Sequence, residues 1–199
     1  MRAKYDTRYP KSRIDALTDG IFAVAMTILV LDIRLPESLQ PLDSDRLLAA
    51  LFDLWPKFLA YFISFMILGL RWISLARAPS HSETVSPRYV RWWLLYLLLI
   101  TCIPFSTMVL GNHASLPSAV WLYCANTALI AVASWRMAEL GHEGDEDVWH
   151  LRERRVSMGL LLASSLLCMA ISVVAPRHAL LAFLLNMAAP VFLHSRQKD

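Results

Sequence analysis

Apolar residues gather into six long runs along this chain, broken by short polar segments. A helix needs about 20 apolar residues to cross roughly 30 Å of hydrocarbon. Six runs approach that length: Ile14–Ile33, Trp55–Leu75, Trp92–Leu110, Ala119–Leu140, Val156–Val174 and His178–Leu193. The pattern predicts an all-α membrane protein of six transmembrane helices, organised as a single domain over residues 1–199. Pro176, Arg177 and His178 predict a turn between the last two helices. Pro36–Leu54 is too polar for lipid and predicts a surface segment whose short helix starts near Ser44 or Asp45.

The first run is the weakest on hydropathy, because its uninterrupted apolar stretch is shorter than a full span and needs its polar flank to cross. Its apolar stretch from Gly20 to Leu31 is entered through Arg13, Asp15, Thr18 and Asp19 and closes on Asp32. A charged group inside a bilayer is costly, so such a helix does not face lipid all round. At about 100° per residue, Val24, Ile28 and Leu31 fall on one stripe, with Gly20 a turn earlier and Thr27 beside it. Periodicity alone reads this stripe as a lipid or packing face. Gly20, Ala23, Ala25 and Thr27 are small enough for close helix contact. Asp15 and Asp19 stack at i, i+4 near the mouth, where they need water, a cation or a basic partner such as Arg13.

Composition agrees with a membrane location: 57% of the residues are hydrophobic and only 18% are charged, a balance unlike that of soluble domains. The net charge of +3 matters less than its distribution. The N-terminal tail through Arg13, the segment from Arg71 to Arg91, the segment from Arg136 to Arg155 and the tail with Arg196 and Lys198 hold 15 of the 19 basic residues. Arg34, Arg46, Lys57 and Arg177 are left for the other side. The positive-inside rule then places both termini in the cytoplasm, which requires an even number of spans. The N-terminal run is not read as a cleaved signal peptide, because Asp19 interrupts its start and Asp32 and Arg34 stand where small residues would be expected.

Enzyme signatures are missing: there is no GxSxG, HExxH, Walker loop or His pair at ligand spacing. No metal, cofactor or nucleic-acid partner is expected. The histidines, His81, His113, His142, His150, His178 and His194, fall in loops or at helix ends. Cys102, Cys124 and Cys168 lie in separate apolar runs and are expected to be small buried hydrophobes. The acidic stretch Glu143–Asp147 reads as a solvated loop. Runs two to six carry no acid near their centres; Asp53 and Glu139 lie at predicted ends. Ion-coupled transporters usually need such groups at the midplane, so a secondary transporter is the weaker alternative, alongside a non-conducting membrane scaffold.

Several motifs occur in order. RIDALTD at Arg13–Asp19 is similar to an R-x-x-x-F-S-D signature, with Arg13 and Asp19 matching, Leu17 in place of Phe and Thr18 in place of Ser; Leu31, Asp32, Ile33 and Pro36 continue the match. YFISFMILGLRW at Tyr61–Trp72, CIPFST at Cys102–Thr107 and YCANTAL at Tyr123–Leu129 follow. Together they resemble the transmembrane protein 175 family of endolysosomal potassium channels and their bacterial relatives. The resemblance covers the first four helices by motif and the last two by hydropathy. It departs where many relatives carry paired histidines after the tryptophan matched by Trp72; here Leu75 and Ala76 stand there.

The resemblance implies a potassium-permeable cation channel in a cell inner or plasma membrane. Bacterial members have one six-helix unit per chain and form homotetramers, with the first helices around a central pore. It assigns Val24, Ile28 and Leu31 to a hydrophobic constriction and Thr27 to a ring of hydroxyls. Arg13, Leu17, Thr18 and Asp19 are the signature, and Trp72 supports it. Asp19 is assigned to packing between subunits rather than to permeation. No TVGYG-type carbonyl filter is present, so discrimination between potassium and sodium is expected to be modest.

Overall fold

The computed structural model describes residues 8–35, 43–77, 83–141 and 148–186. Five helices within them are long and apolar enough to cross a membrane: Lys11–Asp32, Trp55–Ala76, Pro87–Asn112, Pro117–Leu140 and Arg155–Val174. The first is α1 (Lys11–Ile28) with a tighter last turn over Leu29–Asp32, closed by Arg34 Nε donating to the Leu31 carbonyl at 2.7 Å. That side chain satisfies one of the carbonyls every helix end leaves open. The short helix α2 (Ser44–Asp53) begins where the sequence predicts it. Asp43 caps it, its carboxylate accepting from the Arg46 N–H at 2.8 Å.

The second span is α3 (Trp55–Ala76). The third, read from sequence as one helix over Trp92–Leu110, is two: α4 (Pro87–Thr101) and α5 (Ile103–Asn112), meeting at Cys102. Pro104 is the cause. It has no N–H to give and its ring crowds the preceding turn, so the helix cannot continue straight. The Cys102 N–H is shared between the Leu98 and Leu99 carbonyls, at 3.1 and 3.2 Å. Asn126, from the next span, donates its side-chain amide to the Leu99 carbonyl at 3.3 Å and to Ser106 Oγ at 3.5 Å. The break also turns Cys102 outward: it is exposed, whereas Cys124 and Cys168 are buried and meet across two helices as free thiols. The expectation of three buried cysteines is corrected for Cys102, since a kink presents its own residue rather than its neighbours.

The fourth span, α6 (Pro117–Leu140), is the most buried, and α7 (Val148–Val174) packs along it. Ala175 leaves the helical region and Pro176 opens α8 (Pro176–Ala179), followed by a tight turn over Leu180–Phe183 and helix through Asn186. The chain does break after α7, but at Ala175; Pro176, Arg177 and His178, predicted as the turn, lie in α8 because a proline fits the first turn of a helix. The remainder of the sixth run, to Leu193, lies outside the described residues, as do Glu143–Asp147, His81, His142 and His194.

Hydroxyl and amide groups hold the bundle together around α6. Ser64 of α3 bonds Thr107 of α5 at 2.8 Å and Tyr123 of α6 at 2.9 Å; Thr127 of α6 bonds Ser165 of α7 at 2.9 Å; Asn186 donates to Ser164 at 2.7 Å. Apolar packing fills the space between, with Tyr123 set edge-on to Phe183 at 5.4 Å. Gly111 of α5 is required by proximity: a Cβ there would lie 3.3 Å from Lys57 Cα of α3.

Removing the Tyr123 hydroxyl tests this centre. Tyr123→Phe leaves the ring packing intact and costs Ser64 one partner, so stability should fall by about 1 kcal/mol, read as a lower thermal unfolding midpoint in detergent. Ser64→Ala combined with Tyr123→Phe should cost less than the sum of the two single changes.

Candidate functional site

Helix α1 lies at the edge of the bundle. Its residues Ile14, Thr18, Phe22, Ala25 and Leu29 recur at helical spacing and are buried against α3, α4 and α5. Phe22 meets Tyr96 of α4 with ring centroids 6.2 Å apart. The start of the helix is clipped by two short strands, β1 (Tyr9–Pro10) and β2 (Thr84–Val85), paired antiparallel, with the Lys11 N–H donating to the Glu83 carbonyl at 2.9 Å.

Two adjacent signature residues are then pinned by indoles from different helices. Trp72 of α3 donates its Nε1–H to Asp19 Oδ1 at 2.9 Å. Trp93 of α4 donates to Thr18 Oγ1 at 2.8 Å, and the Thr18 hydroxyl passes its own hydrogen to the Ile14 carbonyl at 2.8 Å. Arg71, beside Trp72 and buried, donates to Ser157 Oγ of α7, which fixes this end of α3. Asp19 is thus engaged within its own chain. Arg13 and Asp15 are exposed, and the close cation of Asp15 is Lys11, one turn earlier.

The opposite face of α1 is open. Leu17, Val24, Ile28 and Leu31 are exposed by 50%, 56%, 44% and 56%, with Gly20 and Thr27 among them. A Cβ on Gly20 would meet nothing within 4 Å. The Thr27 hydroxyl lies 2.9 Å from both the Ala23 and the Val24 carbonyls of its own helix. Its hydrogen is therefore spent inward, and its lone pairs are what the outward face offers. No group of three or more His, Cys, Asp or Glu that could hold a metal ion is found among the described residues.

The sequence identified Trp72 as a support but not Trp93, the partner of Thr18. A tryptophan at the start of an apolar helix reads as an interfacial anchor, and nothing in the spacing joins positions 18 and 93. The other motif residues do converge: Thr107 of CIPFST, Tyr123 and Asn126 of YCANTAL, and Ser64 of the α3 motif all belong to the central polar cluster.

The family model for the endosomal/lysosomal potassium channel TMEM175 matches residues 13–104, from the signature arginine to the kink proline. A potassium channel of Streptomyces collinus is 30% identical over 144 residues, covering 68% of each chain. The chain belongs to the TMEM175 family. A second relative, a potassium channel of Chamaesiphon minutus, is 35% identical over 107 residues, covering 54% of this chain and 52% of the other. The chain thus matches about two thirds of one of these curated relatives and about half of the other. The crystal structure of a lysosomal potassium-selective TMEM175 homologue from Chamaesiphon minutus superposes with a TM-score of 0.77 at 27% identity, over 92% of this chain and 97% of that one. This multi-pass chain is accordingly channel-like rather than enzymatic.

If the indole bond to Asp19 sets the seat of α1, Asp19→Ala should cost about 1 to 3 kcal/mol by leaving the Trp72 donor unpaired. Asp19→Asn, which keeps a side-chain oxygen, should retain most of that stability. Thermal unfolding and the yield of assembled protein would report both. Normal stability of Asp19→Ala with altered cation flux would instead make Asp19 a mouth charge.

Proposed function

We propose that four copies of this chain form a potassium-permeable cation channel in a cell inner or plasma membrane, with α1 of each copy lining a central pore. Each subunit is a single unit of six transmembrane helices over residues 1–199, with both termini cytoplasmic. The observation that carries this reading is the two-sidedness of α1: one face is fixed to the bundle, and the other presents small, apolar and hydroxyl side chains that no part of the described chain covers. One such helix cannot enclose water by itself, and cyclic symmetry brings identical faces to an axis.

Around that axis Val24, Ile28 and Leu31 form successive apolar rings, and Thr27 contributes hydroxyl oxygens between the first two. Gly20 has no side chain although its own subunit leaves room for one, which suits a close approach of helices or a wider mouth. Asp15 adds negative charge at that mouth, where it raises the local cation concentration. An ion crossing the rings must shed part of its hydration, and no dense set of carbonyls replaces that shell. Discrimination between potassium and sodium is consequently modest. Asp15 and Asp32 stand toward the ends of the first span and Glu139 near the end of α6, while Asp19, eight residues into the first span, is engaged by the Trp72 indole; among the described residues a proton- or sodium-coupled transporter would have no other acid near mid-span.

Three measurements test the proposal. Native mass spectrometry in mild detergent should find four chains per particle; a monomer would remove the central pore. Ile28→Asn should raise potassium flux into liposomes and lower the preference over sodium, because an amide lowers the cost of wetting a narrow apolar ring. The same change at Val30, exposed on another side of α1, should leave flux unchanged. Equal effects at the two positions would sink the assignment of the stripe. Thr27→Val keeps the shape and removes the oxygen, so it should reduce potassium flux several-fold, with Thr27→Ser retaining most of it.

A further inference from the structure

Helices α6 and α7 leave a groove of about 340 Å³ between them. Its lining changes character along its length. Toward the end of α6 stand Trp135, Arg136 and Glu139; deeper in the span the walls are Ala131, Val132, Met158, Gly159 and Leu162. From Glu139 to Ala131 the groove follows α6 for about 12 Å at 1.5 Å per residue. At the polar end the Glu139 carboxylate accepts from the Trp135 indole at 2.8 Å and from Arg136 at 3.0 Å. Arg155 of α7 acts on the same carboxylate. Among the described residues, two guanidiniums thus act on one carboxylate, which leaves one positive charge over at the mouth. Arg136 and Glu139 both remain about half exposed, so this charge is open to a ligand.

A ligand that fits must be anionic at the membrane boundary and apolar along the helix axis, which is the build of a lipid rather than of a protein segment. We infer that the groove between α6 and α7 binds an anionic glycerophospholipid, its phosphate at Arg136 and Arg155 and one acyl chain along Ala131, Val132, Gly159 and Leu162. Guanidinium is well matched to phosphate, which it holds through paired N–H donors. The indole of Trp135 sits at headgroup depth, where its apolar body and polar edge are both satisfied. Gly159 gives the acyl chain its room: a Cβ there meets nothing within 4 Å. Binding at this site is separate from permeation through α1, and its test does not depend on flux.

The full chain in detergent, titrated with phosphatidylglycerol or phosphatidylcholine and weighed by native mass spectrometry, supplies the test. Phosphatidylglycerol should be retained more strongly by the unaltered protein. Arg136→Gln with Arg155→Gln should weaken it by about fivefold for each guanidinium removed and abolish the preference over phosphatidylcholine. Gly159→Leu starts from a Cβ that meets nothing within 4 Å and fills the groove, so it should reduce retention of both lipids with little change in the unfolding midpoint. Equal phosphatidylglycerol retention by the unaltered protein and both variants would overturn the assignment. A change in the number of chains per particle with Gly159→Leu would also overturn it, by showing that the groove seats a second copy.

Discussion

Inside a bilayer a polar group has no water to fall back on, so every hydroxyl and amide buried there must find a partner in the protein. That constraint organises this bundle. Helix α6 carries Tyr123, Asn126 and Thr127 within two turns, and each reaches a different neighbour: Ser64 on α3, the Leu99 carbonyl on α4, Ser165 on α7. The apolar side chains between them would pack against lipid nearly as well as against each other, because hydrocarbon outside the bundle is no more hostile to them than hydrocarbon inside. Directional bonds therefore decide which helices are neighbours, and α6 becomes the axis on which the others are hung.

The same constraint turns the proline kink into a fixed feature. Pro104 takes away the donor of its own turn, and beside the break the Leu99 carbonyl, which already shares the Cys102 N–H, also accepts from Asn126. The kink is thereby tied to α6 rather than left to bend freely, and the two halves of the span keep one angle. The α4 half carries Trp93 and the α3 end carries Trp72, which together reach Thr18 and Asp19. Consecutive residues on a helix point about 100° apart, so two donors on two different helices fix the rotation of α1 about its own axis as well as its distance. A rotation by one residue would break both bonds and bring a different set of side chains to the outward face. The outward direction of Val24, Thr27, Ile28 and Leu31 is a consequence of those two indoles.

Much of this was legible in the sequence, and the remainder fails for identifiable reasons. Run length reveals spans because the bilayer imposes a length on each segment separately. The stripe on α1 is visible because helical period is local. The break at Cys102 does not show in the apolar pattern even with Pro104 in view, because the run continues across it and hydropathy is blind to backbone donors; the exposure of Cys102 is hidden for the same reason. The bond from Trp93 to Thr18 joins positions 75 residues apart, and no local pattern encodes it. Serines and threonines such as Ser64, Thr107 and Ser165 register only as weak interruptions of an apolar run, although their hydroxyls specify the helix order.

The orientation of the Thr27 hydroxyl bears on what the proposed pore can distinguish. A threonine with a free hydroxyl can turn either its hydrogen or its lone pairs to a passing ion. Here the hydrogen is directed to the Ala23 and Val24 carbonyls of the same helix, so in the proposed pore the oxygen would meet the axis as an acceptor. Anions gain nothing from such a ring, and cations gain the partial charge of each hydroxyl. That charge is smaller than a carboxylate's, and the rings at Val24 and Ile28 on either side add none. The ring can favour cations by sign, whereas separating two monovalent cations by size would need a rigid cage of many oxygens. The difference between potassium and sodium is then left mainly to dehydration in the apolar rings, where the larger ion sheds its water at lower cost. Such a pore holds its ions weakly, and the same weakness lets them leave.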